Sequence, residues 1–137
     1  MASTRETRTG EAGWTLIELM VVMSLIVVLS TVALAQYRNS IRATKEAVLK
    51  ADLFHIRESI DQYYADKGSY PQSLQTLVSE GYLRRVPEDP ITKSSETWVT
   101  TQAELDPSAT ASTPGIYDVK SGADGVSLDG TRYADWH

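Results

Sequence analysis

Glu18 is the one charged residue between Trp14 and Ala35. A carboxylate inside an apolar helix costs on the order of 2.5–3.5 kcal/mol on insertion scales, and usually has a partner and a role. Cleavage of the Gly13–Trp14 bond supplies such a partner. It frees an α-amine on Trp14, cationic at neutral pH and one helical turn from Glu18. Within one chain the two charges can approach each other. In a bundle of copies, Glu18 can instead meet the amine of a neighbour. That pairing would set the register of assembly, because either charge alone is costly in lipid.

The second group with chemical potential lies near the end of the chain. Asp124, Asp129 and Asp135 fall within a dozen residues, two of them in Asp-Gly pairs. One reading is two turns and an edge of solvated carboxylates. The other is a calcium site. Calcium takes six to eight oxygens and accepts carboxylates mixed with backbone carbonyls on a flexible loop. The three aspartates, with carbonyls near Ser121 and Ser127, can supply them. The spacing lacks the closing Glu of an EF-hand loop.

Other chemistry is missing. The chain has no cysteine, which excludes a disulfide framework, a Cys zinc site and a thiol nucleophile. His55 and His137 stand alone, and no spacing of titratable residues argues for catalysis. The sequence therefore reads as a non-enzyme. A net charge of -5 gives no support for nucleic-acid binding. The acidic excess sits from Val86 onward, with nine acidic residues against three basic.

The elements that position these residues follow from hydropathy. Residues 1–13 are polar and without apolar period, so they read as disordered, and cleavage after Gly13 would make them a leader. Trp14 to Ala35 is 22 residues, and at about 1.5 Å each a helix of that length crosses a roughly 30 Å hydrocarbon layer. Trp14 suits the membrane–water boundary. Two rival readings exist for this run. It can be a plain membrane anchor, or a secretory signal cut at Ala33-Leu34-Ala35, which would release a soluble domain.

From Gln36 the period becomes that of an amphipathic helix: Ile41, Val48, Leu49, Leu53, Ile56, Ile60, Tyr63 and Tyr64. No Pro or Gly interrupts residues 14–66. One helix of about 53 residues, ending at Gly68, is predicted. Arg38, Arg42, Lys45, Lys50 and Arg57 read as its solvated face. Gly68-Ser69-Tyr70-Pro71 is a turn, Ser73 to Glu80 a short helix closed by Gly81, and Val86 to Pro90 a second break. Residues 96–100 and 115–119 are rich in β-formers and predict two antiparallel strands, with a loop at 106–114 between them. The fold class is α+β: a long N-terminal helix, half transmembrane and half amphipathic, packed on a small antiparallel sheet with a short helix and a C-terminal loop. The predicted divisions are 1–13, 14–35 and 36–137.

Gly13-Trp14-Thr15-Leu16-Ile17-Glu18-Leu19 resembles the class III signal of type IV pilins and type II secretion pseudopilins. Trp14 stands where Phe is usual, and Ala35 where the family often has a helix-kinking Pro. The series Gly68-x-Tyr70-Pro71, Leu74-x-x-Leu77, Gly81-Tyr82-Leu83 and Pro87-x-Asp89-Pro90 is similar to the major, G-type, pseudopilins. The resemblance implies that a prepilin peptidase cuts after Gly13 and that Trp14 is then N-methylated. It implies a single-pass inner-membrane protein with a periplasmic domain. That protein self-assembles into a helical filament with minor pseudopilins and an inner-membrane assembly platform, for export across the outer membrane. A surface fibre of the type IV pilin kind, used in adhesion, motility or DNA uptake, is the alternative. "S-G-A-D-G" and the later "A-D" before Trp136 are similar to the calcium loop of major pseudopilins, implying the carbonyl of Ser121, the carboxylate of Asp124 and a later carboxylate, Asp135 or Asp129. Here the loop departs in carrying Asp129-Gly130 in its middle and in running directly from Asp135 to Trp136.

Overall fold

The computed structural model describes residues 13, 15–104 and 114–137. Trp14, the leader up to residue 12 and nearly all of the predicted 106–114 loop lie outside them. The chain divides into two compact units, Met1–Arg38 and Asn39–His137.

Helix α1 runs Leu16–Lys67, 52 residues without a break. Its continuity through Ala35 follows from the missing proline, since every backbone N–H can be donated. Gly68 stops it with a left-handed φ of 70° while its N–H still bonds Tyr64 O at 2.8 Å. In the first unit, the described apolar side chains of α1 are exposed, with Val22 half-buried. The hydroxyls there are turned inward on the helix. Ser24 Oγ donates to Met20 O, Ser30 Oγ to Ile26 O and Thr31 Oγ1 to Val28 O, all at 2.7–2.8 Å. Such back-bonding leaves no hydroxyl seeking water, which suits a hydrocarbon surrounding.

In the second unit α1 buries Leu49, Leu53, Ile56 and Ile60, whose spacing of four, three and four keeps them on one stripe. Ile41, Val48 and Tyr64, expected on the same face, are 40–46% exposed because they fall to its side. Helix α2, Leu74–Ser79, is capped by Ser73, whose Oγ accepts the Thr76 N–H at 3.2 Å. It adds Leu77 to the core.

Strands β1, Val99–Gln102, and β2, Ile116–Lys120, pair antiparallel. The first begins three residues later than the composition suggests. Trp98 is diverted inward, its indole N–H donating to Pro87 O at 2.8 Å. Thr97 Oγ1 is hydrogen-bonded to Thr92 Oγ1 at 2.6 Å. The register slips between Thr101 and Gln102, so that Tyr117 has no partner. This bulge shifts the strand's alternation by one, and places both Ile116 and Val119 against the helix. Two strands alone are marginal, and here their inner residues share one cluster with Leu49, Leu53, Leu77, Trp98, Tyr133 and Trp136. Gly122 lies against the Thr97 carbonyl, where a Cβ would collide with it.

Candidate functional site

The two groups singled out above lie in different units. Gly13 is exposed and precedes the helix. Trp14 is outside the described residues, so the approach of its amine to Glu18 is not visible. Glu18 is exposed in the first turn of α1. Its backbone N–H donates to Thr15 Oγ1 at 3.2 Å, and Leu19 N bonds Thr15 O at 3.1 Å. Thr15 therefore caps the helix, and Thr15-Leu16-Ile17-Glu18 is the sequence of a capping box. The acidic residue also sits at the positive end of the helix dipole. This helix start was readable in the sequence as Thr-x-x-Glu.

Downstream of β2, residues Ser121–His137 fold back along α1. Val126 bridges Arg132 across a turn at Asp129-Gly130, and Tyr133–Asp135 forms one 3-10 turn. Ser121 is buried, and its Oγ donates to Asp89 Oδ2 at 2.5 Å while accepting from Ala123 N at 3.1 Å. Asp124 and Asp135 are exposed. Asp129 Oδ1 accepts from the Ser127 and Thr131 hydroxyls and from Thr131 N at 3.0 Å. The Ser127 bond first, then those of Thr131, hold this carboxyl well below the usual carboxylate range. Among the described residues, no group of three or more His, Cys, Asp or Glu is arranged to hold a metal ion. The bonds to Asp129 all fall on Oδ1, and the expected calcium ligands Asp124 and Asp135 are both exposed in the same loop.

Three of the five basic residues expected on a solvated face are not free. Arg57 Nε donates to Asp118 Oδ1 at 2.8 Å, and its Nη2 reaches Val119 O and Trp136 O at 2.8 and 2.9 Å. Arg42 donates to Val126 O and, at 3.4 Å, to Tyr133 Oη. Lys50 Nζ lies 4.6 Å from the centre of the Trp136 ring. Glu46, which no sequence signal marked, accepts from Leu128 N at 3.0 Å and Tyr133 Oη at 2.8 Å. The partners are 62 to 91 residues away for the directly hydrogen-bonded pairs of Arg42, Glu46 and Arg57 beyond Asp118. Local spacing could not show them.

No family profile matches the chain, and no solved structure matches it. Curated relatives do. The chain is 31% identical to the type II secretion system core protein G of Pseudomonas aeruginosa, over 93% of its own length and 94% of the relative. It is 33% identical to the core protein G of Klebsiella pneumoniae, over 58% of this chain and 69% of the relative. With that of Escherichia coli the figures are 31%, 58% and 66%. The near full-length match joins the exposed apolar helix and the small helix-backed sheet into one assignment: the chain is a member of the type II secretion system core protein G family, the major pseudopilins.

Proposed function

We propose that the chain is the structural subunit of a pilus-like filament serving type II secretion across the outer membrane. The observation that carries this is the first unit of α1. It is a helix long and apolar enough to span a membrane, its apolar side chains lie exposed, and its hydroxyls are satisfied internally. Such a surface needs lipid or other copies of itself as its surrounding. In this reading a prepilin peptidase cuts after Gly13, Trp14 is N-methylated, and the subunit waits in the inner membrane with its domain in the periplasm. It then passes through an assembly platform into a filament with minor pseudopilins, the Trp14 amine meeting Glu18 of a neighbouring copy. The chain is the substrate of processing enzymes and does no chemistry itself.

Calcium belongs to the same proposal. Asp124 and Asp135, with the carbonyl of Ser121 and others of the loop, would hold it. The ion would supply a positive charge that ties the two ends of an acidic loop together.

Deletion of the gene, followed by assays of secreted proteins and of surface fibres, tests the function. Loss of secretion with fibres intact supports it. Loss of fibres with secretion intact would favour a type IV pilus. Intact mass of the purified protein tests the processing. A methylated Trp14 start is expected, and a Gln36 start would establish a secreted domain instead.

A further inference from the structure

We infer that the stretch of α1 just past its membrane-length run, Tyr37 to Lys45, is a docking surface for the headgroups of anionic phospholipids. The inference rests on the membrane reading of the helix and not on what is secreted. From Leu19 to Lys45 the chain has no acidic residue, and its basic ones there are Arg38, Arg42 and Lys45. Their spacing of four and three puts them on one face of the helix. Four residues further on, the same stripe enters the core at Leu49, which is fully buried. Before that point the stripe is open. Arg38 is exposed, the Arg42 side chain is 47% exposed, and Lys45 is half-buried. Arg42 lies 3.5 Å from Glu46 and spends Nη2 on Val126 O. The ion pairs among the described residues are Arg42–Glu46, His55–Glu58, Arg57–Asp118 and Lys67–Glu80, and they include neither Arg38 nor Lys45.

Depth sets these cations against phosphate. At about 1.5 Å per residue, Arg38 stands about 4.5 Å past Ala35 along the helix, and Arg42 about 10 Å past it. The headgroup layer is about 5–8 Å thick on each side of the hydrocarbon. Side chains of a helix lean toward its N-terminus, here toward the bilayer. Arg42 and Lys45 can therefore reach back into that layer on their apolar stems. Tyr37, 63% exposed, adds the amphipathic ring typical of membrane boundaries. The charge balance across the run also calls for such a partner. In residues 1–13, Arg5 and Arg8 are matched by Glu6 and Glu11, whereas the other flank carries three cations before its first carboxylate, Glu46. Basic flanks tend to stay on the cytoplasmic side, so this bias opposes a periplasmic domain. Anionic headgroups on the far side offset it, by roughly fivefold in affinity for each basic residue. A second copy is the competing partner, but in a subunit waiting in the bilayer the cations lie at headgroup depth, where lipid meets them first. Leaving the membrane for a filament then means giving up these contacts.

The test reconstitutes the full chain in vesicles of phosphatidylglycerol and phosphatidylcholine in equal parts. After release into mild detergent, native mass spectrometry weighs the lipids that stay bound. Wild type should retain phosphatidylglycerol over phosphatidylcholine by at least about tenfold. Arg38→Gln and Lys45→Gln should each lower that ratio about fivefold, while Arg5→Gln with Arg8→Gln should leave it unchanged. Equal retention of the two lipids by wild type, or an unchanged ratio in the Arg38→Gln/Lys45→Gln double variant, overturns the inference. A double variant that keeps the ratio but loses self-association would assign the cations to a second copy instead. Excess inorganic phosphate should not displace the lipid; displacement would make this a site for the free anion. If the double variant does not fold, wild type in high salt decides, since at about 1 M screening acts within about 3 Å. A lipid preference that survives there overturns the inference, and its loss supports it. A chain that never enters the vesicles takes the membrane reading down as well, whereas one that enters without lipid preference removes the inference alone.

Discussion

The Asp89 carboxylate and the Ser121 hydroxyl meet at 2.5 Å in the interior of the second unit, where Asp89 is 0% exposed. The other oxygen of Asp89 accepts from Ile91 N at 2.8 Å and Thr92 N at 3.3 Å. One buried side chain thus shapes the loop after Pro87 and fastens it to the residue that follows β2. The two motifs it joins, Pro87-x-Asp89-Pro90 and Ser121-Gly122-Ala123-Asp124, are 32 residues apart.

Hydrogen bonds to a charged group contribute roughly 1.5–3 kcal/mol each, and buried donors left unpaired add their desolvation. Ser121→Ala should therefore cost about 2 kcal/mol of unfolding free energy. Asp89→Ala should cost more, on the order of 3–4 kcal/mol, because it strands three donors at once. The double variant should cost less than the sum of the two, with a coupling of at least about 1 kcal/mol by denaturant unfolding. Strict additivity would mean that the pair does not act as one unit.

Lys93 holds a φ of 57°, a left-handed conformation without a glycine's freedom, in the turn where its N–H bonds Asp89 O at 2.7 Å. A side chain there costs about 1–2 kcal/mol of backbone strain, partly offset by the entropy that glycine loses on folding. Lys93→Gly should raise stability by roughly 0.5–1 kcal/mol. A drop in melting temperature would show that the Lys93 side chain makes a contribution larger than the strain it carries.

Two aspartates should respond to pH with opposite signs. Burial, reinforced by Asp89 and opposed by His55, pushes the Asp52 carboxyl above its ordinary value. Hydrogen bonds from Ser127 and Thr131 hold Asp129 below its own. A raised carboxyl opposes folding once ionised, so Asp52→Asn should stabilise the protein at pH 7 and lose that gain as pH falls through the carboxylate range. A lowered carboxyl contributes stability above its unfolded value of about 4, which fades as pH drops further. Asp129→Asn should therefore destabilise modestly at pH 7 and approach wild type in acid. Thermal melts of both variants between neutral and acid pH check this. Parallel curves for the two would refute the assignment of causes.

The pattern of success along the chain follows the range of the forces involved. The long helix was legible because its apolar period, the absence of Pro and Gly, and the stop at Gly68 are all local. So was α2, whose Ser73 cap and Gly81 end lie within ten residues. The start of β1 was not, because Thr97 and Trp98 are held by Thr92 and Pro87 rather than by strand pairing. Arg42, Lys50 and Arg57 read as solvated for the same reason. Their partners come from the far end of the chain, and only the fold brings them back. Asp89 was visible as turn chemistry, but its bond to Ser121 was not. At the N-terminus, Thr15-x-x-Glu18 is a local helix-cap pattern, and the Thr15 hydroxyl takes the Glu18 N–H as that pattern requires.

That leaves two roles for Glu18, and one substitution separates them. The Thr15 hydroxyl takes the Glu18 backbone N–H whatever the side chain is, and a capping box accepts Gln in place of Glu. Pairing with a neighbour's amine, in contrast, requires a carboxylate. Glu18→Gln should leave the helix start and the cut after Gly13 unchanged, as read by intact mass. It should nevertheless reduce incorporation into sheared filaments about as strongly as Glu18→Ala, by on the order of tenfold, a loss equivalent to about 1.4 kcal/mol per contact. Wild-type assembly of Glu18→Gln alongside defective Glu18→Ala would identify the residue as a cap. Wild-type assembly of both would remove Glu18 from the assembly mechanism altogether. A defect in both, with normal processing, leaves the charge itself as the property the filament needs.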